Sequence, residues 1–277
     1  MMLILRTLLE NQLSQNRALT AEHGLSFLVE TEGKKILFDC SAGSAARKNA
    51  RKMNVSVKDV DYVVLSHSHY DHAGGYPDMV KHGVKAPLVT GPHFFEDKYA
   101  SEGGKYVYLG CGFGQELLRK NKIKHQVCEK DIMLFEGCYV VGAFEKKYEF
   151  EKIPPRFVKE TTAGMVADDF ADEVCLVIES GNGLVVIVGC SHPGILNMVE
   201  TVRERFGREV CAVFGGSHLV EADEDRLSET MEILRDMGIG IAGFNHCTGD
   251  AALKRMGECE DGTLYSHLKA GDCIFLP

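Results

Sequence analysis

The sequence predicts a mixed α/β (α+β) fold of the αββα kind, with two sheets packed face to face and helices on both outer sides. Three observations predict it. Short apolar strands open each half of the chain, strand–helix alternation follows in each half, and no linker long enough to separate independent domains interrupts the 277 residues. The reading is therefore one domain, residues 1–277, although length alone would also allow two.

Taken in order, strands are expected at residues 3–8, 24–30 and 35–39. Between the second and third, Thr31-Glu32-Gly33-Lys34 supplies a hairpin turn in which Gly33 is free to take a positive φ. A helix-like stretch covers 44–53, and Tyr62-Val63-Val64-Leu65-Ser66 reads as a buried strand. Beyond a His-rich turn comes a strand at 87–90, then a Gly-rich, weakly patterned stretch from 91 to 124. In the second half, strands fit 173–179 and 184–188 around the turn Ser180-Gly181-Asn182-Gly183. A helix fits 195–206, a strand 210–214, a helix 225–237 and a last inner strand 239–244.

Composition sets outer bounds. Hydrophobic residues at 45% and charged residues at 26% fit a packed globular chain rather than a disordered one. With 31 Lys and Arg against 40 Asp and Glu, the net charge of −9 argues against general nucleic-acid binding and against an anionic membrane surface. No apolar run reaches the roughly 18 residues of a bilayer span, and the first ten residues are too short and wrongly flanked for a signal peptide. The ten cysteines are scattered without a C-x-x-C pair, so reduced thiols in a cytoplasmic protein are the expectation.

The most informative passage is Val63-Val64-Leu65-Ser66-His67-Ser68-His69-Tyr70-Asp71-His72-Ala73-Gly74-Gly75. A buried strand ends, and four groups able to bind a metal follow within six residues: His67, His69, Asp71 and His72. Imidazole and carboxylate suit zinc and similar divalent ions. His67 and His69 can project to one side while Asp71 and His72 turn toward a second position. Gly74 and Gly75 then let the backbone leave closely behind. A solvated polar loop is the bland alternative, and the strand immediately upstream argues against it.

The H-x-H-x-D-H pattern resembles the defining motif of the metallo-β-lactamase superfamily, and the resemblance extends over most of the chain. It implies two divalent metal ions, zinc first with manganese or iron as alternatives, and a hydrolytic activity. Asp39 in Leu37-Phe38-Asp39-Cys40 matches the acidic residue that ends an early strand in that superfamily and supports the metal loop. His69 stands where flavodiiron relatives carry Glu, which favours a hydrolytic centre over a redox one.

The two-metal reading asks the second half for further ligands. His192, in Gly189-Cys190-Ser191-His192-Pro193-Gly194, is expected as third ligand at the first metal; a solvent-facing His near a helix N-cap is the alternative. Cys190 sits where many superfamily members place a bridging Asp, and no Gly-His-Thr type segment lies upstream of it. A thiolate can bind zinc at about 2.3 Å, so Cys190 is open between ligand and small buried residue. His246, ending the last inner strand, matches the His that completes the second site. His218, in Gly215-Gly216-Ser217-His218-Leu219, is open between a donor that stabilises an oxyanion or protonates a leaving group and a core histidine. Asp71 is expected both to bind metal and to orient the reacting water, so the catalytic residues are Asp71 and His218.

Together with Glu22-His23-Gly24-Leu25-Ser26 and His246-Cys247-Thr248-Gly249, these segments resemble the branch labelled dihydropterin-ribofuranosyl-aminobenzene phosphate synthase-like, or metal-dependent hydrolase. The resemblance implies a metal-dependent hydrolase of a small ester, lactone or phosphoester. A synthase using a phosphoribosyl donor and an aromatic acid, and a non-catalytic metal-dependent ligand sensor, are the alternatives. The segment around 93–155 is expected as a substrate-selective insertion, in which Phe94, Phe95, Tyr99, Tyr106, Tyr108, Phe113, Phe144 and Phe150 with interleaved lysines hold a flat, anionic small molecule or form an ordinary packed lid. Neither a nucleic-acid nor a membrane partner is expected, and oligomeric state is not readable.

Overall fold

The computed structural model describes residues 2–260 and 262–277; residues 1 and 261, included in the one-domain reading, lie outside them. In chain order, β1 (Leu3–Leu9), β2 (Ser26–Thr31) and β3 (Lys34–Phe38) form an antiparallel meander. The β2–β3 turn uses Glu32 at φ 50° and Gly33 at φ 70°, the pair of positive values that a two-residue hairpin favours. Then come α1 (Ala45–Lys52), β4 (Tyr62–Val64), α2 (Tyr70–Ala73), α3 (Tyr76–Lys81) and β5 (Leu88–Thr90). The middle of the chain supplies β6 (Lys98–Glu102), β7 (Lys105–Tyr108), α4 (Gln115–Asn121), β8 (His125–Val127), β9 (Asp131–Phe135), β10 (Cys138–Val141), β11 (Phe157–Thr161) and β12 (Gly164–Ala167). The second half runs β13 (Cys175–Ser180), β14 (Gly183–Ile187), α5 (Ile195–Phe206), β15 (Val210–Gly215), α6 (Glu224–Asp236), β16 (Ile241–Phe244), α7 (Asp250–Gly257), β17 (Leu264–His267) and β18 (Cys273–Leu276).

Two seven-stranded sheets result, ordered β18-β1-β2-β3-β4-β5-β8 and β17-β16-β15-β14-β13-β10-β9. Each is antiparallel on one side and parallel on the other, with β3 to β8 parallel in the first and β14 to β17 parallel in the second. Both faces of each sheet are covered, which is why their strands read as continuous apolar runs rather than alternating ones. Phe27, Val29, Phe38 and Val64 meet Val140, Leu176, Ile187 and Phe214 in the layer between the sheets. Leu28, Leu37 and Val63 face Ala46, Ala50 and Met79 of the first outer helices. Val186 and Val213 face Leu196, Val199, Leu227 and Leu234 of the second. The architecture is αββα, as the strand order predicted.

Where element ends differ from the sequence reading, a competing hydrogen bond is the cause. The strand expected at 62–66 stops at Val64 because the Ser66 N–H donates to Asp39 Oδ1 (2.7 Å). That expected from 24 begins at Ser26, since the Gly24 N–H goes to Asn11 Oδ1 and the Leu25 N–H to the Asp71 carbonyl. The strand expected at 239–244 is β16, the last inner strand, and the two later strands, β17 and β18, are each the edge of a sheet.

The weakly patterned middle holds the largest surprise, a third sheet ordered β12-β11-β6-β7. All four residues of β7 are exposed, so no alternation marks it in the sequence. The segment around 93–155 is shared among all three sheets: β8 joins the first, β9 and β10 the second, and β6 and β7 the third.

Candidate metal centre

The donors lie at the C-terminal ends of parallel strands, where ligand sites of open α/β sheets form. The loop after β4 carries His67, His69, Asp71 and His72, the last two on the single turn of α2. Loops after β14, β15 and β16 carry Cys190 and His192, His218, and His246. Gly75 is required here by close approach: its φ is −80°, but a Cβ would run into the Cys40 carbonyl.

Two donor groups emerge. His67, His69 and His192 have ligand atoms within 4.8 Å of one another, and all three are buried. Their orientation follows from neighbours. The Ser66 hydroxyl donates its one proton to Asp39 Oδ2 (2.8 Å) and therefore accepts from His67 Nδ1 (3.0 Å), leaving the His67 Nε2 lone pair free. That Nε2, the His69 Nε2 and both nitrogens of His192 are buried without a hydrogen-bond partner. Burial holds all three imidazoles well below the ordinary histidine pKa, so they are neutral. Buried polar atoms are almost always paired; this cluster of bare nitrogens, one from each ring within 4.8 Å of the others, has the donor chemistry of a divalent cation site.

The second group is built on carboxylates. His72 Nδ1 donates to Asp39 Oδ2 (2.7 Å), directing its Nε2 toward Cys190 Sγ (3.1 Å) and His246 Nε2 (3.1 Å). His246 Nδ1 donates to Asn11 Oδ1 (3.0 Å), and its Nε2 lies 3.2 Å from Asp71 Oδ2. Burial alone would lower the His72 pKa, but Asp39 and Asp71 outweigh it and raise it to about 9. Burial likewise works against ionised Asp71, yet His72, His23 and His246 hold it well below the usual carboxylate range. Without a cation the acids recruit a proton onto His72, so this pocket also fits a positive ion. Burial and the neighbouring Cys247 keep the Cys190 thiol well above its ordinary value. Cys190 groups with His67 and His72 and also with His246 and Cys247, placing its sulfur between the two clusters.

All seven residues expected as ligands are therefore brought together, and Asp39 touches both groups through Ser66 and His72. His192 does not cap a helix: the α5 N-terminus receives the Glu151 carboxylate at the Leu196 and Asn197 N–H groups (2.9 and 2.8 Å). His218 lies at φ 47°, its ring 4.4 Å from that of His192, and burial lowers its pKa to about 4.

A cavity of about 480 Å³ opens over the donors, lined by His23, His69, Asp71, His192, His218 and His246, with Arg156, Phe157 and Leu109 among the other walls. Five of the aromatics read as either substrate contacts or ordinary packing follow the packing alternative. Phe94, Phe95 and Phe113 sit in the outer core of the first sheet, and Phe144 and Phe150 in that of the second. Arg156 stacks on Phe157 (4.1 Å to the ring centroid) and pairs with Glu221 (2.5 Å).

Sequence reasoning missed the supports. Lys98 of β6 is buried with its ammonium 2.5 Å from Asp172 and 3.0 Å from Asp168. Asp172 also accepts the Ser68 N–H (2.9 Å), inside the metal turn. The same ammonium lies 4.3 Å from the Phe170 centroid, and Phe170 stacks on His192 at 3.8 Å and 18°. Glu173 takes the Ser191 and His192 N–H groups (2.6 and 2.9 Å), its pKa pushed by burial to about 8. The role of the acidic run Asp168 to Glu173 is revealed by its pairing with residues far along the chain.

Comparison with known proteins bears on the family and the fold. The family model described as "Metallo-beta-lactamase superfamily" matches residues 19–191. The 7,8-dihydropterin-6-methyl-4-(beta-D-ribofuranosyl)-aminobenzene-5'-phosphate synthase of Methanocaldococcus jannaschii is 34% identical over 257 residues, covering 88% of this chain and 86% of that protein. A crystal structure of a metal-dependent hydrolase of the β-lactamase superfamily superposes with TM-score 0.85 at 26% identity, covering 98% of each chain. Zn(2+)-bound PqqB from Methylobacterium extorquens shares the fold at TM-score 0.56 and 13% identity, over 98% of this chain and 99% of that one. Among the described residues, no helix is long and apolar enough to cross a membrane.

Proposed function

The chain belongs to the metallo-β-lactamase superfamily, and from that premise we propose that it is a metal-dependent hydrolase of a small ester, lactone or phosphoester. The observation that carries the reading is the pair of donor clusters, one of bare neutral imidazoles and one of imidazoles laced to Asp39 and Asp71. His67, His69 and His192 would hold one divalent ion and Asp71, His72 and His246 a second, with the Cys190 sulfur between them; zinc suits these donors, and manganese or iron are alternatives. When bound, such cations supply Lewis acidity and lower the pKa of water from about 16 toward about 7.

The chain's own groups do the rest. Asp71 accepts hydrogen bonds on the cavity side and orients the reacting water. His218, neutral at pH 7 because burial lowers its pKa to about 4, offers an N–H to charge developing on a substrate oxygen rather than a labile proton. Phe157 and Phe170 wall the first cluster with rings and exclude water from it. Arg156 at the rim, paired with Glu221, would meet an anionic small molecule in a cytoplasmic setting by exchanging that partner for the substrate. The volume of about 480 Å³ suits a small-molecule substrate.

A panel of carboxylic esters, lactones, phosphomonoesters and phosphodiesters, assayed with metal content measured on the same preparation, tests the reading. Hydrolysis that disappears on chelation and returns with Zn²⁺ or Mn²⁺ is the expected result. Activity retained in metal-depleted protein overturns it. The second reading is a synthase that condenses a phosphoribosyl donor with an aromatic acid, which the 34% identity to a protein named as a synthase fits only weakly. Metal-loaded protein that hydrolyses nothing on the panel and releases pyrophosphate from such a donor and acid would establish that reading instead; inertness in both assays with a bound small molecule would mark a sensor.

A further inference from the structure

We propose that His23 is a further ligand at the second metal position, so that His23, Asp71, His72 and His246 together hold that ion. This rests on the metal-dependent reading above and goes beyond its ligand set. The segment Glu22-His23-Gly24-Leu25-Ser26 precedes the other donors by more than forty residues, and His23 enters the site described above only as a neighbour of Asp71 and a wall of the cavity.

The chain is brought to this place by specific links. The Leu25 N–H donates to the Asp71 carbonyl (3.1 Å), the Leu25 carbonyl accepts from the Ser41 N–H (3.0 Å), and the Gly24 N–H donates to Asn11 Oδ1 (3.3 Å). Asn11 is the residue that orients His246, so one side chain fixes both the known imidazole and the approach of this loop. Gly24 takes φ +143°, and a Cβ there would sit 2.6 Å from the Asp71 carbonyl oxygen. Only glycine allows this approach, and its result is to set the His23 ring over the Asp71 carboxylate.

Although the His23 side chain is 57% exposed, its Nε2 turns inward and lies 3.1 Å from Asp71 Oδ2. Its ring sits 4.8 Å from that of His246. Three successive donor gaps are then nearly equal: 3.1 Å from His72 Nε2 to His246 Nε2, 3.2 Å from His246 Nε2 to Asp71 Oδ2, and 3.1 Å from Asp71 Oδ2 to His23 Nε2. Donors bound at about 2.0–2.1 Å around one tetrahedral ion stand roughly 3.3 Å apart. Ligand atoms of His23, Asp71 and His246 all lie within 4.8 Å of one another, a mutual closeness that a shared ion requires, and His72 joins them through His246 at 3.1 Å and Asp71 at 3.7 Å. The second position so built takes a divalent transition ion that accepts mixed nitrogen and oxygen donors, and it faces the cavity mouth.

Metal-free protein titrated with Co²⁺ and followed by visible absorption and binding stoichiometry tests this. Wild type is compared with His23→Ala and with His23→Gln, which keeps a hydrogen-bond donor for Asp71 but has no imidazole. Because His23 is exposed, both variants are expected to fold. The expected result is that both lose at least tenfold in affinity for one Co²⁺ equivalent and change its absorption spectrum, while the other equivalent is unaltered. Wild-type spectra and affinities in both variants, or in the Gln variant alone, overturn the inference and leave the hydrolase reading standing. Wild-type protein that takes up no Co²⁺ overturns both.

Discussion

The two donor clusters are a few ångströms apart and built on opposite principles. Around His67, His69 and His192 the protein supplies rings: Phe170 stacked on His192 and Phe157 at 5.1 Å. Among the described residues nothing bonds His67 Nε2, His69 Nε2 or either nitrogen of His192. Around His72 and His246 it supplies Asp39, Asp71 and Asn11, and the groups satisfy one another. The first cluster is thus a set of neutral, unpartnered imidazole nitrogens, while the second is an excess of negative charge balanced by a proton. Loading the first relieves a desolvation cost. Loading the second displaces protons.

Removing the charge should separate the halves most strongly. Asp71→Ala should cut hydrolysis by about 10³-fold, the several kcal/mol that a bound cation contributes, with loss of one metal equivalent and retention of the other. Metal analysis beside kinetics checks this, and loss of both equivalents together would mean that the clusters act as one unit.

Next in size is the scaffold of the first cluster. Lys98→Met strands two carboxylates in the interior and should destabilise the protein by about 3–5 kcal/mol, read from urea unfolding at fixed metal. A change under 1 kcal/mol would remove Lys98 from the account of how Phe170 and the 67–72 turn are held. Asp39→Asn should weaken the second cluster's metal by roughly 10–100-fold, the usual effect of altering a group that orients a ligand, and the first cluster's by less, because His67 reaches Asp39 only through Ser66. Competition with a chelator of known affinity measures both.

The smallest effect is a proton count. In metal-free protein His67, His69 and His192 have depressed pKa values, so the folded state binds fewer protons than the unfolded chain, and their contribution falls as pH drops below the ordinary value of 6.5. His72 has the opposite sign: raised to about 9, it contributes stability below 6.5 that is lost as pH climbs through 9. At neutral pH, loading the first cluster should release almost no protons and loading the second about one from His72, plus one more if Cys190 binds as thiolate. Calorimetry in two buffers of different ionisation enthalpy reads the difference, and Cys190→Ser sharpens it by removing the thiol's share.

These halves were not equally legible. The 67–72 turn announces itself because its donors are adjacent in sequence, and His192 and His246 follow from their place at the ends of β14 and β16. Asp39 was found as a strand end, although its hold on His67 through Ser66 shows only in three dimensions. Asn11, Lys98, Phe170 and Asp172 were invisible, since each acquires its role from a partner distant in the chain: Lys98 meets Asp172 across 74 residues and Asn11 meets His246 across 235. The αββα order was readable from apolar runs buried on both faces. The third sheet was not, because β7 lies open to solvent and carries no pattern of burial.

The central claim is that imidazoles and carboxylates from distant strands hold two cations at one sheet edge. Anomalous diffraction at a transition-metal edge, on crystals of protein never exposed to chelator, tests it directly. The account predicts two peaks, one bounded by His67, His69 and His192 and the other by Asp71, His72 and His246. An absence of peaks there in protein that is folded and active would contradict it.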